Sequence, residues 1–451
     1  LEAAPAHPTR HARGPGWGAA LDGQCRLALP EPRFVELFDA AVRSLVLHAP
    51  GEVYPGPYTY KRFWFRDAAF ILHALLCLGQ QARVERALDG FPARQHRDGF
   101  FFSQETEWDS NGEALWILAR YAALSGRGPK RAWHDAIRRG AQWIVDKRVR
   151  DEPGSPHAGL LPPGFSAEHL GPSDYYYWDD FWALGGLRAA DAMLDALDDA
   201  PARAQCAAAA QSLAESIDRS LERAALRTGR PAMPASPYRR LDSGAIGSLA
   251  AGYPLELQGP ADPRLRDTAE FLLAECFVDG CFFQDMVHSG LNPYLTLHVA
   301  QVLLRAGDAR ALALVRETAA RASPTGQWPE AIHPRTGGGC MGDGHHVWAS
   351  AEWVLMMRSL FLRETPDALV LCPGLAPGWL AQGAPLAFGP TPTPYGPLTV
   401  QVEAADGAAR VRWEARWRGA APPIKLRRPG HRPARAAPGE SAIVLERTAA
   451  S

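Results

Sequence analysis

Six loops of similar composition alternate with segments of helical periodicity between about residues 51 and 364. Each loop starts at a glycine, continues with apolar or aromatic residues and then polar residues, and leads into a new apolar segment. The leading glycines are Gly51, Gly99, Gly159, Gly229, Gly280 and Gly326. Their uneven spacing indicates a repeat of structure rather than of copied sequence. Six loops predict about twelve helices, arranged as six helical hairpins.

The segments before and after each loop differ in how their apolar residues are distributed. RAWHDAIRRGAQWIVDKR (residues 131–148) precedes a loop and is one-sided, which suits a helix with one face in water. VWASAEWVLMM (residues 347–357) follows a loop and is apolar nearly all round, which suits a buried helix. An inner ring of six helices inside an outer ring of six accommodates both kinds. The sequence therefore predicts a mainly α fold, an (α/α)6 toroid whose six loops open at one mouth; the alternative is an α-solenoid, whose loops are usually shorter.

The pattern of the chain changes after about residue 364. PLTVQVEAADGAARVRWEAR (residues 397–416) alternates apolar and polar residues around an Asp-Gly turn, which predicts a β-hairpin. We expect a lead-in over residues 1–31, β-rich or irregular, the catalytic toroid over 32–364 and a small C-terminal β domain over 365–451.

Charge and hydropathy exclude several classes of partner. The net charge is −1 at pH 7, so no basic surface is expected for nucleic acid or an anionic membrane. No apolar run approaches the roughly 18 residues of a membrane span. Several of the seven cysteines lie in apolar runs, which favours free thiols and a reducing, cytoplasmic compartment. A processed N-terminal signal would instead allow a periplasmic or secreted protein. The oligomeric state is left open.

The loops at the mouth combine carboxylates with tryptophans and tyrosines. The sequence has no phosphate loop, dinucleotide fingerprint, zinc-type cysteine pair or Gly-x-Ser-x-Gly elbow, so we predict neither a cofactor nor a metal site. Aromatic faces stack on sugar rings, and a pair of carboxyl groups is the usual equipment for cutting a glycosidic bond. A carbohydrate is therefore the expected substrate.

The sixth loop supplies the candidate general base. Glu330 follows a proline in GQWPEAIHPRTGGG, close to Trp328 and to three consecutive glycines that would let the backbone approach a ligand. The alternative is a solvated loop glutamate. Asp343 is expected to cap the last inner helix, which places His345 and His346 in its first turn. Either histidine would bind sugar hydroxyls or serve a structural hydrogen bond.

The third loop supplies the candidate general acid. Asp179 lies in YYYWDDFW beside Trp178, where a new helix begins. The positive helix end favours the charged carboxylate, whereas burial by aromatic neighbours raises its pKa, and the sequence does not decide between them. The alternative role of Asp179 is an N-cap. Glu168, in FSAEHLG of the same loop, is the competing acid.

The first two loops supply further candidate binding residues. Arg66 and Asp67 open an otherwise apolar helix in FWFRDAAF, next to Trp64. They would either pair with each other to hold the toroid together or bind sugar hydroxyls. The second loop supplies four residues that are expected to line the sugar subsite: Glu105, Glu107, Trp108 and Asp109.

These motifs resemble those of the six-hairpin glycosidases, which include glucoamylases, trehalases, processing α-glucosidases and α-L-rhamnosidases. WPEAIHPRTGGG followed by HHVWASAEW is similar to the glucoamylase stretch that carries the base, which implies that role for Glu330. FWFRDAAF resembles their Trp-x-Arg-Asp motif, which implies hydroxyl binding by Arg66 and Asp67. YYYWDDFW resembles the helix start that carries the trehalase acid, which implies Asp179. Glucoamylases use a glutamate of the third loop, which keeps Glu168 as the alternative.

Taken together, the residues and the resemblance predict an inverting, exo-acting glycoside hydrolase with Glu330 as base and Asp179 or Glu168 as acid. Departures from the glucoamylase pattern concern Ala331, where a glutamine is usual, and the run GGGCMGDGHH. The alternatives are a sugar isomerase or epimerase on the same toroid, a phosphorylase, or a non-catalytic glycan-binding protein.

Overall fold

The computed structural model describes residues 16–152, 154–165, 173–285, 289–405 and 408–448. In chain order its α-helices are α1 (Trp17–Ala20), α2 (Pro32–Leu47), α3 (Phe65–Cys77), α4 (Gln81–Asp89), α5 (Ser110–Ser125), α6 (His134–Lys147), α7 (Tyr177–Ala196), α8 (Ala200–Thr228), α9 (Pro263–Glu275), α10 (Pro293–Ala306), α11 (Arg310–Ala320) and α12 (Val347–Phe361). Short 3-10 helices lie at Pro92–Arg94, Arg131–Trp133, Ser243–Ala251 and Pro377–Gln382.

The helices form two concentric rings. The inner ring consists of α3, α5, α7, the 3-10 helix Ser243–Ala251, α10 and α12, and each of these packs on the next. The ring closes because α12 also packs on α3 and α2. The outer ring consists of α2, α4, α6, α8, α9 and α11. This arrangement confirms the predicted (α/α)6 toroid and rules out an open solenoid.

Burial follows the predicted difference between the two rings. Every residue of α3 is buried, whereas α6 buries one face only. The fourth inner element differs from the expectation, because Ser243–Ala251 is a 3-10 helix rather than an α-helix. Its sequence contains two glycines and two serines and is soon followed by Pro254, and these residues are poor α-helix formers.

Two glycines bring α5 and α7 into direct backbone contact. A Cβ at Gly112 would lie 2.1 Å from the carbonyl oxygen of Trp182, and one at Gly186 would lie 2.6 Å from the Cα of Gly112. Such an approach is open only to glycine. It draws the N-terminal ends of these two inner helices together at the mouth.

The β-strands form three sheets. They are β1 (Arg26–Ala28), β2 (Phe277–Val278), β3 (Cys281–Gln284), β4 (Gly290–Leu291), β5 (Ala331–Ile332), β6 (Gly339–Met341), β7 (Leu362–Thr365), β8 (Ala368–Leu371), β9 (Leu386–Thr391), β10 (Leu398–Ala405), β11 (Ala408–Ala415), β12 (Ile424–Leu426), β13 (Ala434–Arg435) and β14 (Ala442–Leu445). The C-terminal region holds the sheets β1-β9-β10-β11-β14 and β13-β12-β8-β7.

The C-terminal β region contains the predicted hairpin. β10 and β11 pair antiparallel from Leu398 opposite Ala415 to Ala405 opposite Ala408, while the turn residues 406–407 lie outside the described residues. The lead-in contributes β1 to the same sheet, opposite β9. The domain division at residues 31 and 364 stays a prediction.

The third sheet, β2-β3-β4-β5-β6, is built from the fifth and sixth loops. No strands were predicted in these two loops. These strands are two to four residues long. β4 pairs with β5 although the two strands lie far apart in sequence. Glu330 immediately precedes β5, so the sheet fixes the backbone beside it.

Seven free cysteines are present, six of them buried and Cys340 exposed. Among the described residues, no helix combines the length and the apolar composition needed to cross a membrane.

A partly buried ion-pair cluster ties the inner ring to the strands that follow it. The Glu364 carboxylate accepts hydrogen bonds from Arg120 Nη2 at 2.6 Å and from Arg358 Nη2 at 2.6 Å. Burial raises the pKa of Glu364, but the two guanidiniums outweigh this effect and lower its pKa to about 2. The ionised carboxylate is therefore favoured by folding.

We expect Glu364→Gln to destabilise the protein more at neutral than at acid pH. Because the folded pKa lies below the unfolded value, the charge contributes stability above about pH 4.5, and this contribution is lost as the pH falls toward 2. The free energy of unfolding should differ between wild type and variant by about 3 kcal/mol at pH 7 and by about 1 kcal/mol at pH 3. Urea unfolding at the two pH values measures this. Glu446→Gln, in an exposed pair with Arg432, should show no such pH-dependent gap; an equal gap at both pH values for Glu364→Gln would contradict the assignment.

Candidate active site

The N-terminal ends of the inner helices place charged residues at the mouth. Arg66 and Asp67 lie in the first turn of α3, Asp109 immediately precedes α5, and Asp179 lies in the first turn of α7. These side chains are all buried. Because helix N-termini carry a positive potential, acidic side chains are favoured there.

Arg66 is held by carboxylates of the second loop and α5. Its Nε lies 2.7 Å and its Nη2 lies 2.6 Å from Asp109 Oδ2. Its Nη1 lies 3.5 Å from Glu107 Oε1, and Glu113 Oε1 is 3.9 Å from its Nε. The indole Nε1 of Trp178 donates to the same Asp109 oxygen at 2.7 Å. Asp109 therefore joins three elements of the mouth.

Asp179 is buried without a hydrogen-bond partner for its carboxylate. It is 1% exposed, and neither oxygen receives a hydrogen bond from the residues that the structure describes. Burial raises the pKa of Asp179 well above its usual range, and the charges of Asp109 and Asp180 raise it further, while Arg66 opposes them. The alternative role as an N-cap is wrong, because Tyr176 occupies the cap position of α7. The sequence left open whether burial or the positive end of the helix has the larger effect on the pKa of Asp179. In the structure, burial has the larger effect.

The neighbouring Asp180 has a structural partner. Its Oδ1 accepts a hydrogen bond from the backbone N–H of Leu161 at 2.8 Å, which fixes the start of the third loop. Glu168, the competing acid, lies outside the described residues.

Glu330, in the sixth loop, is half-buried. Its Oε2 accepts a hydrogen bond from the Tyr60 hydroxyl. A Cβ at Gly342 would lie 2.6 Å from the Tyr60 ring and 3.0 Å from Glu330 Oε2, so the sixth loop folds back closely over both groups. The glycine that lies against the carboxylate is Gly342, whereas a Cβ at Gly337 would meet nothing within 4 Å. The predicted approach of the three consecutive glycines to a ligand stays a prediction.

Asp67 links the surroundings of Glu330 with those of Asp179. Burial raises the pKa of Asp67 to about 7; Arg66 opposes this, while Glu330 and Glu107 add to it. Glu107 also raises the pKa of Asp179. Pairwise electrostatic interactions therefore run from Glu330 through Asp67 and Glu107 to Asp179.

The two histidines differ sharply in environment. α12 begins at Val347, so His346 occupies its N-cap position and His345 precedes it, rather than both lying in the first turn. His346 is buried, with Nε2 3.8 Å from Asp67 Oδ1 and its ring 4.9 Å from that of Tyr294. Burial lowers the pKa of His346 to about 3, so it is neutral at physiological pH. His345 is exposed.

Asp343 does not cap α12, contrary to the expectation. Its carboxylate accepts hydrogen bonds from three backbone N–H groups of the first loop, those of Tyr58 at 3.1 Å, Thr59 at 2.9 Å and Tyr60 at 3.0 Å. Three amides satisfy this carboxylate better than one cap bond would. The contact joins the loop that carries Tyr60 to the loop that carries Glu330.

The tryptophans predicted to bind substrate fall into two groups. Trp64 is half-buried, with its ring 5.8 Å from that of Tyr60 and with the Arg62 guanidinium 3.7 Å from its centre. The others are buried and donate to the interior, Trp108 to the carbonyl oxygen of Pro163, Trp178 to Asp109 and Trp328 to the carbonyl oxygen of Thr318. Trp64 is thus the partly exposed member of the set, and it packs on the Tyr60 ring whose hydroxyl binds Glu330. Substrate binding by these residues stays a prediction.

Tyr60 is the main site residue that the sequence analysis missed. It lies in the first loop four positions before Trp64, within YPGPYTYKRFWFRD, where three tyrosines are equally plausible. Nothing local distinguishes it from the exposed Tyr58. Glu107, a candidate subsite residue in the sequence, lies buried beside Arg66, with its Oε1 3.5 Å from Nη1.

Solved structures of sugar-cleaving enzymes share this architecture. A wild-type glycosidase superposes with a TM-score of 0.57 at 18% identity, covering 74% of this chain and 99% of its own. The chain has the fold of the six-hairpin glycosidases. A bacterial glucoamylase complexed with acarbose matches at a TM-score of 0.53 and 14% identity, over 71% of this chain and 55% of the glucoamylase. A GH78 family rhamnosidase of Bacillus sp. GL1 matches at 0.61 and 15% identity, over 90% of this chain and 42% of the rhamnosidase.

At these identities the six-hairpin likeness concerns the fold, and the chemistry rests on the carboxylates described above. No protein-family model matches the chain, and no curated protein matches its sequence.

Proposed function

We propose that this six-hairpin protein is a glycoside hydrolase that acts with inversion on the terminal residue of an oligosaccharide or glycoconjugate. Asp179 protonates the leaving oxygen, and Glu330 takes a proton from the water that attacks the opposite face of the sugar. The observation that carries the proposal is the contrast between these two carboxylates. Asp179 is buried, without a hydrogen-bond partner among the described residues and with a raised pKa, whereas Glu330 is half-buried and bound by Tyr60.

The environments suit the two roles. A general acid must carry a proton at neutral pH, and the burial of Asp179 beside Asp109 and Asp180 supplies that condition. A general base must be ionised, and the hydroxyl of Tyr60 stabilises the charged form of Glu330 and orients it. Trp64 is proposed to stack on the sugar ring, and Asp67 and His346 to bind its hydroxyls.

The same surroundings weigh against the alternatives. A phosphorylase would have to admit phosphate next to Glu330 and Asp67, whose negative charges repel it. An isomerase working through His346 would depend on a base whose pKa is lowered to about 3. A purely glycan-binding protein would gain nothing from Asp179, since a buried carboxyl without a hydrogen bond costs stability.

Product analysis tests the proposal. Purified protein is incubated with a panel of nitrophenyl glycosides and oligosaccharides, and proton NMR follows the first product anomer. We expect release of a monosaccharide with the anomeric configuration opposite to that of the substrate. Retention of configuration would contradict the roles of the two carboxylates, and the absence of any product across the panel would favour a binding protein.

Asp109→Asn is expected to move the alkaline limb of the pH profile of kcat/KM to lower pH. Activity requires protonated Asp179, so it falls as pH rises through the pKa of that group. Asp109 is the largest electrostatic cause that raises this pKa, and its neutralisation should shift the limb downward by roughly one pH unit. Asp262→Asn, at the N-cap of α9, controls for loss of a helix-start aspartate and should leave the limb in place. An unmoved limb in Asp109→Asn would show that Asp179 does not set it.

A further inference from the structure

A second cavity lies at the other end of the toroid, away from the mouth. It has a volume of about 620 Å³ and is bounded by the C-terminal end of α10, the start of α11, β7, β8 and the segment after β12. α10 begins at the mouth, where the ring of Tyr294 contacts that of His346, and ends at this cavity. Its 14 residues span about 20 Å. The cavity is therefore separate from the candidate active site.

Three arginines from three different elements line this cavity. They are Arg305 at the end of α10, Arg363 in β7 and Arg427 directly after β12. The Arg305 side chain is 7% exposed, and its Nε finds no hydrogen-bond acceptor among the described residues. Among the described residues, Arg363 Nη1 donates to the carbonyl oxygen of residue 305, at 3.4 Å. The Arg427 side chain forms no ion pair with any carboxylate in the described part of the chain.

Negative charge in the cavity does not balance these three guanidiniums. Glu256 Oε2 lies 3.3 Å from Arg305 Nη2 and is partly exposed. Asp308 also lines the cavity, but its carboxylate is bound by Arg310, at 2.6 Å from Nη2. Burial lowers the pKa of Arg363 to about 10; Glu256 opposes this, and repulsion by Arg305 and Arg427 adds to it. Glu256 offsets one of the three guanidinium charges, which leaves two, and Arg428, which also lines the cavity and has no ion pair among the described residues, adds a third positive charge.

Such an excess is costly unless an anion neutralises it. Arg305 is buried, and no acceptor among the described residues replaces the hydration that its Nε loses. Guanidinium forks match the oxygens of phosphate and hold them with paired, charge-assisted hydrogen bonds. The volume exceeds that of a single phosphate, and Leu304, Leu360 and Val370 add apolar wall.

We propose that this cavity is an anion-binding site for the phosphate group of a small phosphate ester, held by Arg305, Arg363 and Arg427. The charged group lies between the three guanidiniums, and the organic part contacts the apolar wall. The site binds its ligand independently of any hydrolysis at the mouth.

Thermal unfolding of the whole protein at constant ionic strength tests the proposal. Sodium phosphate and glycerol 3-phosphate are each titrated against sodium chloride, with glycerol as the uncharged partner. Ligands that bind the folded state raise Tm in a saturable way. We expect glycerol 3-phosphate to raise Tm at lower concentration than inorganic phosphate, and chloride and glycerol to have no saturable effect. Tighter binding of inorganic phosphate would limit the ligand to the free ion and contradict the ester assignment.

Arginine variants test whether the phosphate ligand binds in this cavity. Arg363→Gln and Arg427→Gln should each raise the half-saturating concentration roughly tenfold or more, because each removes charge-assisted hydrogen bonds. Arg427 is exposed, so its replacement tests the site even if Arg363→Gln fails to fold. Arg86→Gln, on the exposed side of α4, makes the same charge change and should leave the titration unaltered. Equal titrations in wild type, Arg427→Gln and Arg86→Gln, or no saturable phosphate effect, would overturn the proposal.

Discussion

Glu330→Gln is expected to lower kcat about a thousandfold or more on every substrate that the protein hydrolyses. The amide keeps the size of the side chain and accepts the Tyr60 hydroxyl, but it does not take a proton from water. General base catalysis contributes roughly 10²- to 10⁴-fold, so its loss raises the barrier by about 3 to 5 kcal/mol. Because water is activated in the same way whatever group leaves, the loss should be similar for oligosaccharides and for nitrophenyl glycosides. Initial rates under saturating substrate measure it.

Two matched variants separate this role from a structural one. Tyr60→Phe removes the hydrogen bond to Glu330 while keeping the carboxylate, and should cost far less activity than Glu330→Gln. Glu52→Gln changes an exposed glutamate of the first loop whose carboxylate accepts a hydrogen bond from the Tyr54 hydroxyl at 3.2 Å, and should leave kcat nearly unchanged. Near-normal kcat in Glu330→Gln, with an unaltered Tm, would reject Glu330 as the base.

Asp179→Asn is the second large effect, and it should depend on the substrate. The variant has no proton to give to the leaving oxygen, so oligosaccharides, whose leaving alkoxide is basic, should lose about 10²- to 10⁴-fold in kcat/KM. Nitrophenolate leaves without protonation, so nitrophenyl glycosides should lose much less. The fold should survive or become more stable, since an uncharged amide replaces a buried carboxyl whose ionisation is unfavourable.

Glu168→Gln is the matched control for the acid. If Asp179 donates the proton, Glu168→Gln should retain its activity on oligosaccharides. If instead Glu168→Gln loses oligosaccharide activity and keeps nitrophenyl glycoside activity while Asp179→Asn does not, the acid is Glu168. Each variant is assayed on both substrate classes, with Tm as the check on folding.

The fold could be predicted because its signals are local. One-sided outer helices, uniformly apolar inner helices and glycine-led loops each follow from composition within a short window. The 3-10 helix Ser243–Ala251 and the sheet at the mouth could not be predicted in the same way. The first combines an apolar segment with weak helix formers, and the second pairs short strands that lie far apart in sequence.

The residues of the candidate site show the same difference between local signals, which could be predicted, and long-range contacts, which could not. Asp179 and Glu330 are recognisable from their own surroundings, the first by aromatic neighbours at a helix start and the second by glycines after a proline. Their partners are not local: Tyr60 contacts Glu330 from the first loop, and Asp343 binds amides of that loop rather than its own helix. Helix-cap statistics favour the nearest helix, whereas three backbone amides from a distant loop offered this carboxylate more hydrogen bonds.

The most direct test is the ratio of kcat/KM for a nitrophenyl glycoside to that for the matching oligosaccharide, measured in wild type, Glu330→Gln and Asp179→Asn. The account predicts a ratio close to wild type in Glu330→Gln and a ratio raised about a hundredfold or more in Asp179→Asn. A ratio unchanged in Asp179→Asn, or raised instead in Glu330→Gln, would contradict the assignment of acid and base.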